Sequence, residues 1–115
     1  MRGLVIAPKT ILASAARSSS SNSNSFKTKA ANSLRVYVDV TAKSGTSPTL
    51  DITIQTSPDN SNWYTAGTLT QITDTGQYTG TATTIGPYIR ILYTIGGTTP
   101  VITFSVKMTK YNWSR

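Results

Sequence analysis

Four aspartates are the only acidic side chains in this sequence of 115 residues, which also lacks histidine and cysteine. The thiolate and imidazole ligands of zinc sites and the Ser-His-Asp and Cys-His nucleophile systems are therefore excluded. A glycosidase could use two aspartates, but it holds one carboxyl group with a raised pKa beside the other. Because Asp39, Asp51, Asp59 and Asp74 form no local pair, we expect no enzyme activity, no metal site and no cofactor.

Aromatic side chains are the next candidates for binding chemistry. The stretch SPDNSNWYTAG, residues 57–67, places Trp63 and Tyr64 directly after a turn rich in Pro, Asp, Asn and Ser. Alternation along a strand points two such rings to opposite faces of a sheet. We predict that Trp63 closes one end of the core and that Tyr64 lies on the surface. A sugar-binding platform would need several aromatics on one face, and nothing in the sequence places the other tyrosines beside Tyr64.

The basic residues are concentrated at the two ends of the chain. There are 11 lysines and arginines against four acids, which gives a net charge of +7. Residues 1–35 hold six of these cations and residues 107–115 hold three. In the nearly neutral middle, Arg90 is predicted either to be solvated on the sheet or to pair with an aspartate of a neighbouring copy. Because this middle part has no basic face interleaved with stacking aromatics, we expect no direct nucleic-acid binding.

The first 17 residues, MRGLVIAPKTILASAAR, imitate a secretory signal, with a positive start, apolar residues and small residues at the end. Pro8, Lys9 and Thr10 interrupt the apolar stretch, so we expect this segment to belong to the folded protein. No apolar run approaches the roughly 18 residues that a membrane-spanning helix needs, and no membrane association is expected.

Apolar and polar residues alternate with a period of two in four stretches, which is typical of half-buried strands. Further, weaker strands are predicted at 23–30, 62–72 and 76–85. With 21 threonines and no long run of helix formers, the pattern favours an all-β protein, an antiparallel β-sandwich of the jelly-roll kind. The residues predicted to face the core are Leu34, Val36, Val38, Val40, Ala42, Leu50, Ile52, Ile54, Ile89, Ile91, Tyr93, Ile95, Ile102, Phe104, Val106 and Met108.

Two similar links join these strands in pairs. KSGTSPTLDITIQ and IGGTTPVITFSVK each place a Gly-Thr-Ser/Thr-Pro link between two alternating stretches. Glycine supplies an unusual φ and proline ends a turn before the next strand begins. We interpret the two links as the turns of two related hairpins.

The chain divides into an extended, basic, Ser-rich N-terminal arm (1–33), a sandwich (34–111) and a basic C-terminal tail (112–115). The Ser/Asn stretch 17–25 is typical of a flexible linker. The terminal cations of an isolated protein are typical of solvated, disordered tails. Apolar clusters and spaced cations along the arm favour the alternative, contact with an acidic partner surface. Deleting residues 2–25 is predicted to leave the sandwich folded and to weaken partner binding. The candidate partner contacts are Arg2, Leu4, Ile6, Lys9, Ile11, Leu12, Arg17, Phe26, Lys27, Lys29, Tyr64, Arg90, Tyr111 and Trp113.

Residues 34–110 resemble small jelly-roll proteins encoded among the structural genes of tailed bacteriophages. The resemblance is carried by LRVYVDVTAKSGTSPTLDITIQTSPDNSNWYTAG and by TGTATTIGPYIRILYTIGGTTPVITFSVKM. No single motif in them is specific, because Ser-x-Asp-x-x-x-Trp also occurs in sugar-binding discoidin-like sandwiches; the order of the motifs in a short chain is more telling. The first 33 residues lie outside this resemblance.

This resemblance implies a capsid decoration, or cement, protein. Such a protein, assembled in the host cytoplasm, sits on the outer surface of the major capsid protein lattice, commonly as a homotrimer at three-fold and quasi-three-fold points, and stabilises the head. Cementing requires contact area rather than catalysis, which agrees with the missing catalytic groups. Two alternatives stay open: another virion component, such as a head-fibre base, connector or tail protein, and a carbohydrate-binding β-sandwich module.

Overall fold

A computed structural model of the protein describes residues 2–28, 33–83 and 85–114, with side chains for those that lie between residues 9 and 109. Every regular element in this part of the chain is a β-strand, and all strand pairs are antiparallel. The described residues form no helix long and apolar enough to cross a membrane. The all-β prediction is therefore confirmed. The strands are β1 (Arg2–Arg17), β2 (Ser21–Asn22), β3 (Phe26–Lys27), β4 (Ser33–Ser57), β5 (Tyr64–Thr68), β6 (Gly76–Ala82) and β7 (Tyr88–Ser114).

The fold is organised around one long ribbon formed by β4 and β7. These strands pair continuously, from Ser33 opposite Tyr111 to Ser57 opposite Tyr88. The ribbon bends at its middle, so each strand contributes one half to each of two layers. The first layer holds β6, the first half of β4, the second half of β7, and β1. The second layer holds β5, the second half of β4, the first half of β7, and β2 with β3.

The two predicted hairpins are wrong, because neither link reverses the chain. The links instead lie side by side at the bend of the ribbon, where Ser44 is opposite Val101 and Thr49 is opposite Gly96. Register shifts on both sides of Thr46 mark the bend. A bend and a hairpin turn use the same local chemistry, Gly with positive φ followed by Pro, and only the long-range strand pairing distinguishes them.

The core lies between the two layers and is formed by the side chains that alternation predicted. Of the 16 predicted inward residues, Ala42 is exposed and Ile95 is half-buried, while the other 14 are buried. The layers meet where the ring of Tyr93 packs edge-on against the ring of Phe104, at a centroid distance of 5.4 Å. Both rings belong to β7, so the bend of that strand brings its two halves face to face. The predicted antiparallel β-sandwich is confirmed.

The N-terminal segment runs in an extended conformation along the same edge of both layers. Strand β1 pairs with the second half of β7. The Ser-rich stretch that follows is held on the first half of β7, where the hydroxyl of Ser23 accepts a hydrogen bond from the Ile91 amide (2.9 Å) and that of Ser20 accepts one from the Ile95 amide (2.9 Å). Ser23 is buried. A segment with the composition of a free linker is thus fixed by the body of its own chain.

Candidate functional site

A tight polar turn, residues 57–62, ends the β4 strand and positions the aromatic pair that follows it. The Asp59 carboxylate accepts hydrogen bonds from the backbone amides of Ser61 and Asn62, both at 2.9 Å, and from the Asn62 side chain at 2.7 Å. The Ser57 hydroxyl accepts hydrogen bonds from the backbone amides of Asp59 and Asn60. These donors, led by the Asn62 amide, hold the pKa of Asp59 well below its usual range. The turn is therefore fixed by hydrogen bonds within it.

Trp63 leaves this turn and lies beneath the guanidinium of Arg90. The guanidinium carbon is 4.3 Å from the centroid of the indole ring, within the range of a cation–π contact. The Arg90 Nε–H also donates to the side-chain oxygen of Gln55 at 2.8 Å. Arg90 and Gln55 face each other across the β7–β4 ladder, so the sheet itself sets this geometry. The prediction that Trp63 closes the core is wrong: its ring is half-buried and covered by Arg90.

The outer face of the second layer places further side chains around Arg90. Ile89 and Ile91 are buried, so alternation turns Tyr88, Arg90 and Leu92 outward. Lys27 lies opposite Tyr88 on the neighbouring strand β3 and is exposed. We call the set of Lys27, Gln55, Trp63, Tyr88 and Arg90 the Arg90 site.

Tyr64 is the exposed aromatic next to this site. Its side chain is 60% exposed, which confirms the prediction that it lies on the surface. It is paired with Thr56, one residue away from the Gln55–Arg90 row. Tyr64 therefore lies beside the Arg90 site and points away from its row by strand alternation.

Two of the predicted partner-contact cations, Lys9 and Arg17 of β1, lie over aromatic rings at the edge of the sandwich. The Lys9 ammonium lies 4.8 Å from the ring centroid of Phe26, which packs partly against the core. The guanidinium of Arg17 lies 4.7 Å from the ring centroid of Phe104 and 5.7 Å from that of Tyr93, and its Nη1 donates to the Phe104 carbonyl at 2.7 Å. The half-buried guanidinium of Arg17 is an inward-pointing charge, which together with the register shifts of β1 protects an edge strand from pairing with another chain.

The other predicted contacts have varied positions. Ile11 and Leu12 of β1 pack partly against the core. The backbone of Arg2, Leu4 and Ile6 pairs with the end of β7, opposite Ser114, Asn112 and Lys110. Tyr111 and Trp113 lie on that same end, opposite Val5 and Gly3. Lys29 lies outside the described residues. The structure thus brings together Lys27 and Arg90 and places Tyr64 on the neighbouring strand β5, while Arg2, Leu4, Ile6, Lys9, Ile11, Leu12 and Arg17 are distributed along β1.

Three of the four aspartates hold structural positions. The Asp74 carboxylate is 3.3 Å from the Lys43 ammonium, and Asp51 accepts hydrogen bonds from the Gln71 side chain. The pKa of Asp74 is lowered mainly by the hydrogen bond from the Thr75 backbone amide and, to a smaller extent, by Lys43. With Asp59 fixed in its turn, these carboxylates are engaged by local partners. In the part of the chain that the structure describes, no three His, Cys, Asp or Glu side chains lie close enough to hold a metal ion.

Sequence reasoning singled out neither Gln55 nor Tyr88 as a member of this site. A polar residue on the outer face of a strand carries no signal of its own. The signal that could have found it is the register of β4 against β7, because that register places Gln55 opposite Arg90. This pairing joins residues 35 positions apart and could not be read from local patterns.

Comparison with known proteins finds similarity at the level of the fold. No family profile and no curated protein sequence matches the chain. Among solved structures, the chain is similar to the SPBc2 prophage-derived protein YomS (TM-score 0.58, 14% identity, 96% of each chain covered). It is also similar to the PBSX exported protein XepA (TM-score 0.61, 13% identity), where 99% of this chain covers 38% of the larger protein.

Carbohydrate-binding domains share the same architecture. The chain is similar to the CBM22-1 xylan-binding domain of Paenibacillus barcinonensis Xyn10C, with a TM-score of 0.50 and 10% identity over 98% of this chain and 87% of that one. It is equally similar to the CBM36-1 domain of a xylanase from the hindgut metagenome of Trinervitermes trinervoides, with a TM-score of 0.50 and 7% identity over 94% of this chain and 96% of the other. At these identities the likeness establishes an antiparallel β-sandwich shared by prophage-derived proteins and carbohydrate-binding domains.

Proposed function

We propose that this protein is a non-catalytic structural component of a tailed-phage particle that decorates the outer surface of the capsid. The observation that carries the proposal is the likeness to the prophage-derived protein YomS, which extends over 96% of both chains. The match covers nearly all of both chains, which supports a single domain of the same fold. The sequence resemblance of residues 34–110 to jelly-roll proteins of phage structural genes supports the same conclusion.

The features of the described surface agree with a protein that acts by contact. Three of the aspartates are occupied by local hydrogen bonds or an ion pair. Lys27 and Lys107 are exposed, and they add to the net charge of +7. A basic surface of this kind is attracted to an acidic lattice of major capsid protein, and charge complementarity raises both the rate and the specificity of docking. In this proposal the protein binds as a homotrimer, and three simultaneous contacts multiply a modest affinity.

The experiment is to add the purified protein to undecorated, expanded capsids of the phage that encodes it. Saturable binding near the stoichiometry of the three-fold lattice points, with a raised temperature of capsid disruption, supports decoration. Binding confined to one vertex or to the tail assigns the protein to another virion component. An absence of binding to any part of the particle overturns the proposal.

The N-terminal segment is tested by a matched pair of substitutions rather than by deletion. Removal of residues 2–25 would strip Ile11, Leu12 and Arg17 from the edge of the core, so we expect it to lower stability as well as binding. Ser14 on β1 and Ser44 at the bend are both exposed. If β1 faces an acidic partner, Ser14→Asp weakens capsid binding while Ser44→Asp does not. Equal affinities for the two variants would remove β1 from the contact.

A carbohydrate-binding module is the second candidate function. It is favoured by the likeness to the xylan-binding domain of Xyn10C and to the CBM36-1 domain, together with the half-buried rings of Trp63 and Tyr88 on the outer face of the second layer. Aromatic rings next to polar side chains are the usual surface for stacking a sugar. Retention on an array of neutral glycans, without binding to capsids, supports this candidate over the first.

A further inference from the structure

We propose that the Arg90 site binds an acidic saccharide, a sugar chain that bears carboxylate groups. This inference goes beyond capsid decoration and does not depend on it. It rests on a cation that the sheet holds in a fixed position, on the charges that surround it, and on the aromatic rings that border it.

Three parts of Arg90 are held in place, namely its backbone, its Nε–H and the face of its guanidinium, whereas its terminal Nη atoms are open to a ligand. The β7–β4 ladder places its backbone, the Gln55 side chain takes its Nε–H at 2.8 Å, and the indole of Trp63 lies under its guanidinium plane at 4.3 Å. Among the described residues, no hydrogen bond uses the Nη atoms of Arg90. The ion pair in this part of the chain joins Lys43 to Asp74 and does not include Arg90. A fixed guanidinium with free Nη groups is a fork for a planar oxyanion, because a carboxylate can accept two parallel hydrogen bonds from it.

A second cation lies near Arg90, and the Asp59 carboxylate in the adjoining turn is engaged by Ser61 and Asn62. Lys27 lies opposite Tyr88, which is two residues before Arg90 on the same strand. Lys27 and Arg90 are therefore diagonal neighbours on the same face of two paired strands, a relation that places side chains about 7–8 Å apart. Lys27 is exposed and takes part in no hydrogen bond or ion pair among the described residues. Two cations at this spacing suit a ligand that repeats its negative charge from one unit to the next.

The position of the site on the sheet favours a saccharide over an acidic peptide. Peptides that bind sheets add to an exposed edge, where the free backbone groups of the strand provide most of the hydrogen bonds. At Arg90 both β4 and β7 are interior strands, paired on each side, with β5 beyond β4 and the N-terminal segment beyond β7. Recognition must therefore come from side chains. Gln55, the hydroxyl of Tyr88 and the two cations offer hydrogen bonds, and the rings of Trp63 and Tyr88 offer apolar surface for the faces of a sugar.

The experiment titrates the full chain with three probes of similar length: hexagalacturonate, neutral xylohexaose and hexaglutamate. Binding is followed by calorimetry and by the NMR signals of the Arg90 Nε–H and the Trp63 indole N–H. We expect hexagalacturonate to bind and to shift both signals, to bind at least about tenfold more tightly than either other probe, and to weaken as salt is added.

Substitutions assign the binding to this site. Arg90→Gln removes the fork, and we expect it to reduce the affinity for hexagalacturonate by about tenfold or more. Arg90→Lys should recover little of this loss, because an ammonium cannot make the paired hydrogen bonds. The matched control is Arg35→Gln: Arg35 lies on the outer face of the first layer, and its loss changes the net charge equally. The thermal midpoint of each variant is measured to confirm that it is folded.

Several results would overturn the inference. These are no binding of hexagalacturonate, equal losses in Arg90→Gln and Arg35→Gln, or binding of xylohexaose or hexaglutamate as tight as that of the acidic saccharide. Tight binding of hexaglutamate would assign the site to an acidic protein partner instead. Because the titration uses no capsid, its failure leaves the decoration proposal standing, and a failure of capsid binding leaves this inference standing.

Discussion

Gly45 and Gly97 each lie against the backbone that follows the other at the bend of the β4–β7 ribbon. A Cβ atom on Gly45 would be 2.5 Å from the Thr99 carbonyl oxygen, and one on Gly97 would be 2.8 Å from the Ser47 carbonyl oxygen. Both glycines have positive φ, +102° and +113°. The contact is reciprocal, so the two links act as one structural unit that lets both strands pass from one layer to the other.

Substitution of either glycine should therefore destabilise the whole sandwich. We expect Gly45→Ala and Gly97→Ala each to lower the free energy of unfolding by about 1–3 kcal/mol, because alanine is strained at this φ and its Cβ meets backbone atoms. Chemical denaturation measures the effect. Ser44→Ala, at an exposed position in the same bend, should change the value by less than about 0.5 kcal/mol. Losses no larger than that of the control would show that the bend does not depend on glycine.

Arg17 is expected to act as a structural residue. Its guanidinium covers the ring of Phe104 and bonds the carbonyl of the same residue. We expect Arg17→Gln to lower the free energy of unfolding by about 1–3 kcal/mol, through loss of the cation–π contact and the charged hydrogen bond. Lys107→Gln, which removes an exposed cation, is the matched control and should have little effect. Similar unfolding midpoints for the two variants would contradict this role.

The turn at Asp59 should make stability depend on pH in the acid range. The folded state holds the pKa of Asp59 below its unfolded value of about 4. A depressed pKa contributes stability that is complete above the unfolded value and is lost as the pH falls toward the folded one. At pH 6 the wild-type protein should therefore have a higher melting temperature than the Asp59→Ala variant. The difference between the two melting temperatures should narrow as the pH is lowered below about 4. A gap independent of pH would mean that the charge does not stabilise the turn.

Trp63 and Phe104 should respond differently to truncation. Phe104 is fully buried between the layers, and Phe104→Ala should cost about 3–5 kcal/mol of unfolding free energy. Trp63 is half-buried under Arg90, and Trp63→Ala should cost about 1 kcal/mol, close to the value of an exposed cation–π contact. Denaturant titration of both variants checks the difference. If Trp63→Ala lowered the free energy of unfolding as much as Phe104→Ala, Trp63 would have to be counted as a core residue.

Local patterns in the sequence determined which side chains form the core. Strands have a period of two, so alternation in each stretch marked its inward face whatever its partner strand was. The exceptions lie next to the bend: Ala42 is exposed and Ile95 is half-buried, because the register shifts there and the strands leave the layer. The surface position of Tyr64 followed from the same alternation after a recognisable turn.

Tertiary structure alone decided how the strands pair and what the exposed side chains contact. Gly-Thr-Ser/Thr-Pro permits a hairpin or a bend, and the choice depends on pairing between residues about 50 positions apart in the chain. The same long-range register places Gln55 opposite Arg90, and the turn after β4 lays Trp63 under that arginine. The alternation within each strand indicates which of its side chains are buried, whereas contacts between residues far apart in the chain depend on how the strands pair in the fold.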